Sequence, residues 1–189
     1  MRLIFIGPPG VGKGTQAKNI CAHFGIIHLS TGVILRNEIK QMSSIGQSAK
    51  TFIDAGQLVP DDVLLKIMYE RLTQEGCYNG FCLDGFPRTM PQAEGLDHIL
   101  KNLNQSLDAV VSVDVNEEEL INRLVLRGIT SRRTDDTPDI IRQRLQVYKK
   151  QTEPLIEFYE ERNLVKTING VGEITEITER IFEYINLKC

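Results

Sequence analysis

The chain contains no tryptophan, only 6% aromatic residues and three histidines among its 189 residues. Its four cysteines, Cys21, Cys77, Cys82 and Cys189, form no C-x-x-C pair. No Cys or His cluster has zinc-ligand spacing, so the pattern argues against a structural metal or a disulfide framework. Isolated cysteines of this kind read as small buried hydrophobes. No apolar run approaches the ~20 residues that a membrane span needs. The first apolar run, residues 1–6, meets Pro8-Pro9 too soon to serve as the apolar core of a signal peptide. A cytoplasmic location with no membrane partner is therefore expected. Net charge is −3, which gives no bulk attraction to nucleic acid or anionic lipid. Any site for an anion has to be built locally.

What is present is an ordinary globular balance, 41% hydrophobic and 25% charged, at a length suited to one domain. Short apolar runs at residues 2–6, 26–29, 80–84, 109–114 and 164–168 read as strands. Val110-Val111-Ser112-Val113 is β-branched and almost continuously apolar, as in a parallel strand covered on both faces. Helical patterns at 13–24, 61–74, 91–103, 117–126, 138–162 and 173–185 separate the runs, with Pro154 expected to bend the longest. This alternation predicts an α/β fold of three layers, α/β/α, around a five-stranded parallel sheet. Ligands in such sheets bind beyond the carboxyl ends of the strands, which directs attention to the loops beginning at Gly7, Ser30, Asp84 and Asp114.

The first strand runs directly into Gly7-Pro8-Pro9-Gly10-Val11-Gly12-Lys13-Gly14-Thr15. This is G-x-x-x-x-G-K between a strand and a helix, the context that marks a phosphate-binding loop. Glycines let successive backbone N–H groups turn toward phosphate oxygens, and the helix N-terminus adds its dipole. Lys13 can reach the outer phosphates as a point charge. The loop departs from the general pattern in one respect: Gly14 follows the lysine, and the hydroxyl comes one residue later, at Thr15. There is no N-K-x-D or D-x-x-G, so the GTPase motifs are missing. Asp84 and Asp114 both fit an acidic strand end, so the loop alone leaves a simple ATPase open.

Further segments carry a resemblance. Leu29-Ser30-Thr31-Gly32 is followed by Leu35-Arg36, Gly56-Gln57-Leu58-Val59-Pro60-Asp61 comes next, and then Leu83-Asp84-Gly85-Phe86-Pro87-Arg88-Thr89 with Gln92. With the phosphate loop and an arginine-rich stretch from Arg123 to Arg144, these span most of the chain in order. The sequence resembles the adenylate kinases, a family of nucleoside monophosphate kinases, in their short-lid form. That resemblance implies Mg²⁺-dependent transfer of a phosphoryl group between ATP and AMP, giving ADP, by a monomer. Mg²⁺ would be carried by the nucleotide. It also implies a helical AMP-binding insertion over residues 30–59 and a lid over 126–137.

The family's roles fall on particular residues. ATP would be held by Gly10, Val11, Gly12, Lys13, Gly14, Thr15, Arg123, Arg127 and Gly172. AMP would be held by Thr31, Arg36, the backbone at Gln57, Leu58 and Val59, and the segment Gly85, Phe86, Pro87, Arg88. Gln92 would read the adenine edge, and Arg133 and Arg144 would touch AMP and the transferring phosphate. Lys13, Arg88, Arg127, Arg133 and Arg144 form the catalytic set. Several arginines from distant segments are what such chemistry asks for, because positioning and charge neutralisation do most of the work. Asp84 is the candidate to support magnesium through its water shell. Val33 stands where the family usually has an aspartate, which leaves Asp84 as the main acidic group there. Two rivals stay open: a UMP/CMP kinase, disfavoured by Thr31 and Thr89, and a non-catalytic P-loop nucleotide sensor, which would not need the second set of arginines.

Overall fold

The computed structural model describes residues 1–131 and 137–187, the side chains of 129–131 excepted. Five parallel strands lie in the order β2-β3-β1-β4-β5. They are β1 (Arg2–Ile6), β2 (Ile27–Ser30), β3 (Phe81–Asp84), β4 (Ala109–Asp114) and β5 (Val165–Asn169). The helices are α1 (Lys13–Phe24), α2 (Thr31–Lys40), α3 (Ser44–Asp54), α4 (Asp61–Leu72), α5 (Met90–Asn102), α6 (Glu117–Ser131), α7 (Pro138–Val147), α8 (Leu155–Glu160) and α9 (Ile174–Asn186). The expected three-layer α/β arrangement is present.

Alternation along the central strand divides the core in two. Leu3 and Phe5 point to one face, where Ile20 of α1 and Ile177, Ile181 and Ile185 of α9 cover them. Ile4 and Ile6 point to the other, against α4, α5 and α8 through Leu64, Met68, Leu96 and Leu155. Each such side chain, fully withdrawn from water, contributes roughly 1.5–3 kcal/mol. That burial on both faces explains why these strands read as continuous apolar runs. Helices α1 and α9 are also tied by polar contacts: Gln16 Nε2 donates to the Ile174 carbonyl at 3.0 Å, and the Thr178 hydroxyl donates to Gln16 Oε1 at 2.7 Å.

One sequence expectation needs correction. The helix predicted over 138–162 with a bend at Pro154 is interrupted earlier. After α7 the chain makes a π-helical turn over Tyr148–Thr152, with the Glu153 N–H bonded to the Tyr148 carbonyl, five residues back. Pro154 then stands at the start of α8. Proline has no N–H to donate, and its ring crowds the carbonyl four residues before it. The disturbance is thus taken up in the turn before Pro154. The other differences are of extent: α6 runs beyond 126, and the segment 30–59 holds the two helices α2 and α3. No described helix is long and apolar enough to cross a membrane.

Candidate active site

With β1 central and its neighbours on both sides, the carboxyl ends of β1, β2 and β3 open onto one crevice. A cleft of about 460 Å³ lies there. Gly10, Gly12, Lys13, Gly14 and Thr15 line it from the β1–α1 loop. Gly12 precedes α1 with φ 99°, a left-handed conformation that glycine adopts without strain, and it supplies no capping side chain. The first-turn N–H groups of α1 thus lack the usual side-chain acceptor, as an anion site requires. Val11, also expected in this set, is buried beneath the loop and does not line the cleft.

Lys13 folds back on its own loop, donating to the carbonyls of Gly7 at 2.6 Å and Pro8 at 2.8 Å. Its pKa is lowered to about 7: burial is the main cause, the charge of Asp84 works against it, and Arg88, Arg144 and Arg127 push it down further. Asp84, at the end of β3, accepts from the Ser30 hydroxyl at 3.1 Å. His28 Nε2 lies 3.4 Å from its carboxylate, at ion-pair range though without the alignment of a hydrogen bond. Burial would raise the Asp84 carboxyl, but the contact with His28, the Lys13 charge and the Ser30 hydroxyl outweigh it and hold the group below its ordinary value. The carboxylate also abuts the phosphate loop, since a Cβ added at Gly14 would sit 3.3 Å from Asp84 Oδ2.

The far side of the cleft is assembled from separate elements. Thr31 and Arg36 come from α2, Gln57, Leu58 and Val59 from the α3–α4 connection, and Gly85, Pro87 and Arg88 from the β3–α5 loop. Arg127 and Arg144 reach it from α6 and α7. The Gly85 carbonyl accepts from Arg88 Nε at 2.7 Å and from the Thr31 hydroxyl at 2.8 Å. Gly85 has φ 78°, and a Cβ there would fall 2.7 Å from Arg88 Nη2 and 2.9 Å from Thr31 Oγ1. Only glycine lets those two side chains converge. The Phe86–Pro87 peptide that follows is cis.

Besides Val11, four expected residues lie off the cleft lining. Phe86 and Gln92 are fully buried behind it. Arg123 holds neighbouring elements: Nε donates to Glu119 at 2.7 Å, Nη1 to the Val11 carbonyl at 3.3 Å and Nη2 to the Gly170 carbonyl at 3.1 Å. It thereby ties the phosphate loop to the β5–α9 loop that holds Gly172. Gly172 has φ 119° and packs beside Glu176 and Arg180. Arg133 and most of the lid expected over 126–137 lie outside the described residues.

Among the cleft-lining residues that sequence reasoning missed are His28, Tyr148 and Thr152. His28 lines the cleft from β2, beside Asp84. Tyr148 lines it from the π turn, its hydroxyl pKa raised by burial and by the charges of Glu153 and Asp114. Thr152, also lining the cleft, donates its hydroxyl to the Arg88 carbonyl at 2.8 Å. His28 could have been found as a polar residue in an apolar strand end. Nothing local announces Thr152, because a π turn shifts which residues share a face.

A glycine-rich loop capping a helix, a lysine within it, and a second rim of arginines facing the same cleft define a P-loop phosphotransferase. The adenylate kinase family profile matches residues 5–164. The adenylate kinase of Leptospira biflexa is 49% identical over 184 residues, 97% of this chain and 99% of the relative. That of Stenotrophomonas maltophilia is 48% identical over 185 residues, 98% of this chain and 99% of the relative. That of Nocardioides sp. is 45% identical over 187 residues, 99% of this chain and 98% of the relative. The chain belongs to the adenylate kinase family and is a nucleoside monophosphate kinase.

Proposed function

We propose that the chain catalyses the reversible transfer of the terminal phosphoryl group of ATP to AMP, giving two ADP, and so balances the adenine nucleotide pool. The observation that carries this reading is the pairing of a phosphate loop with a second, separately built cationic rim across one cleft. A protein that bound a single nucleotide would need only the first. The phosphate loop takes ATP, with Lys13 exchanging its two loop carbonyls for phosphate oxygens. Arg36 and Arg88 take the AMP phosphate, since planar guanidinium forks suit bidentate phosphate contacts. Arg127 and Arg144, which line the same cleft, neutralise charge that spreads over the transferring group. Arg133 completes this set, and the segment 126–137 closes over ATP to exclude water, as 30–59 does over AMP. Arg123 and Gly172 shape the adenosine end of the ATP site.

Mg²⁺ enters as part of the nucleotide substrate. Hard oxygen donors suit it, and it usually keeps several waters. Asp84, held ionised against the phosphate loop, fits that role through water, whereas Val33 presents an apolar, half-exposed side chain to the cleft. When bound, the ion supplies charge neutralisation on the phosphates. The protein acts as a monomer in the cytoplasm.

A nucleotide panel tests the reading: purified protein with Mg-ATP and AMP, dAMP, GMP, UMP or CMP, followed by a coupled assay for diphosphates. Turnover with strong preference for AMP is expected. Equal or better use of UMP or CMP would replace it with a pyrimidine nucleotide kinase, and nucleotide binding without turnover would replace it with a sensor.

A further inference from the structure

Two glycines of the chain have nearly the same φ and different surroundings. Gly25 caps the end of α1 with φ 64°, and Gly56 stands just past α3 with φ 68°. Both lie in the left-handed region, which glycine enters without strain and an L side chain does not. A Cβ built at Gly25 meets nothing within 4 Å. A Cβ built at Gly56 falls 3.2 Å from Arg144 Cγ, 3.2 Å from Ile140 Cγ2 and 3.2 Å from the Ile140 carbonyl oxygen. Carbon atoms pack best at about 3.5–4.0 Å, so a side chain at 56 has to push its neighbours aside.

Ile140 and Arg144 are one turn apart on α7, so Gly56 seats against one face of that helix. Gly56 and Arg144 both line the cleft. An arginine packs its aliphatic stem against neighbours while its charged head stays in a polar space, and a packed stem has fewer rotamers open to it. Arg88 is held by hydrogen bonds, its Nε to the Gly85 carbonyl and its own carbonyl to Thr152. Close packing on a bare Cα does for the stem of Arg144 part of what those bonds do for Arg88.

We infer that Gly56 is a positioning residue for phosphoryl transfer: its missing side chain leaves the space in which the stem of Arg144 packs, and so sets where that guanidinium stands in the cleft. The inference rests on the proposed reading that Arg144 neutralises charge on the transferring group.

The test measures kcat and Tm in the wild type, Gly25→Ala, Gly56→Ala, Arg144→Ala and the double variant Gly56→Ala/Arg144→Ala. The two glycine variants carry the same backbone strain, and each should lose ~2–8 °C in Tm. Gly25→Ala should keep the wild-type kcat. Gly56→Ala should lower kcat by ~10-fold, since a misplacement of about 1 Å can cost ~10²-fold and the crowding here calls for a smaller shift. Arg144→Ala should lower kcat by ~10²-fold or more. In that background Gly56→Ala should add less than ~2-fold, because the stem it displaces is gone. A merely structural role would make the two losses multiply, and a kcat loss equal in Gly25→Ala and Gly56→Ala would trace to strain; either result overturns the inference. If Arg144→Ala leaves kcat unchanged, the underlying reading fails. If Arg144→Ala lowers kcat and Gly56→Ala does not, only the seat fails. Should Gly56→Ala not fold, Gly56→Ala/Ile140→Ala, which removes one crowding contact, is compared with Ile140→Ala, with and without Arg144→Ala. A kcat loss that vanishes without Arg144 supports the seat, and one that persists overturns it.

Discussion

On one side of the cleft, residues 10–15 supply glycine backbone, a helix start and Lys13 from a single contiguous loop. On the other, Arg36, Arg88 and Arg144 arrive from α2, the β3–α5 loop and α7, and the placement of Arg88 depends on Gly85, Thr31 and Thr152. The first side is built from main chain and is largely determined once the loop has turned. The second is built from long side chains whose rotamers must be held by neighbours. Long side chains carry the larger entropy cost of ordering, so the second side depends more on residues that touch no substrate.

The largest expected effect breaks the contiguous side. Lys13→Met should lower kcat by ~10²-fold or more, the scale of removing one preorganised group from a developing charge. It should do so for every acceptor, and circular dichroism should not change. A near-normal kcat would remove the phosphate loop from the mechanism. On the assembled side, Arg88→Ala should cost ~10–100-fold in kcat/KM for the acceptor, the range for charge-assisted hydrogen bonds, with KM for ATP little changed. An equal loss on both substrates would mean the two sides are not separable. Thr152→Val sharpens the contrast, because the Thr152 hydroxyl holds the Arg88 carbonyl. A loss of ~5–10-fold in kcat/KM for AMP is expected from leaving that carbonyl unpaired, and Thr152→Ser should restore it. If serine and valine behave alike, the hydroxyl is not what matters.

The smallest effect is a proton count. With a pKa lowered to about 7, Lys13 in the empty site is mostly neutral above that pH and charged below it. Phosphate favours the charged form and raises the pKa again. ATP binding at pH 8 should therefore take up a fraction of a proton, and the uptake should shrink as pH falls through about 7 toward 6. Titration calorimetry in buffers of different ionisation enthalpy measures it, and Lys13→Met should abolish it. Proton release, or uptake that grows toward pH 6, would contradict the assignment.

The contiguous side was readable in advance because its chemistry follows from neighbours in sequence: a strand, glycines, a lysine, a helix. Period and composition likewise revealed the parallel sheet, since β-branched runs covered on both faces leave a plain signal at Val110 to Val113. The assembled side was readable only through whole-segment resemblance. Arg36 and Arg144 carry no local mark that separates them from solvated helix residues. Arg123 resembles a nucleotide ligand in sequence, and its guanidinium also donates to Glu119 and to two backbone carbonyls, which no local pattern announces. Thr152 was invisible because its role comes from a bond across many residues, made possible by a π turn that periodicity cannot anticipate.

The place of β1 has a consequence for the order in which the protein can be made. Arg2 is paired with Phe81 and Leu3 with Ala109, so β1 leaves the ribosome before either of the two strands that flank it. Until about residue 84 has emerged, Leu3, Ile4, Phe5 and Ile6 lack both flanking strands, and until about residue 114 they still lack β4, so the loop at Gly7 has no complete sheet to turn from. Pairing of such sequence separation is entropically late. The phosphate loop precedes both flanking strands in the chain, yet it can take shape only after β4 has been translated. Synthesis that stalls before β4 should leave a nascent segment with an exposed apolar strand and no affinity for phosphate, a substrate for chaperones rather than half an enzyme.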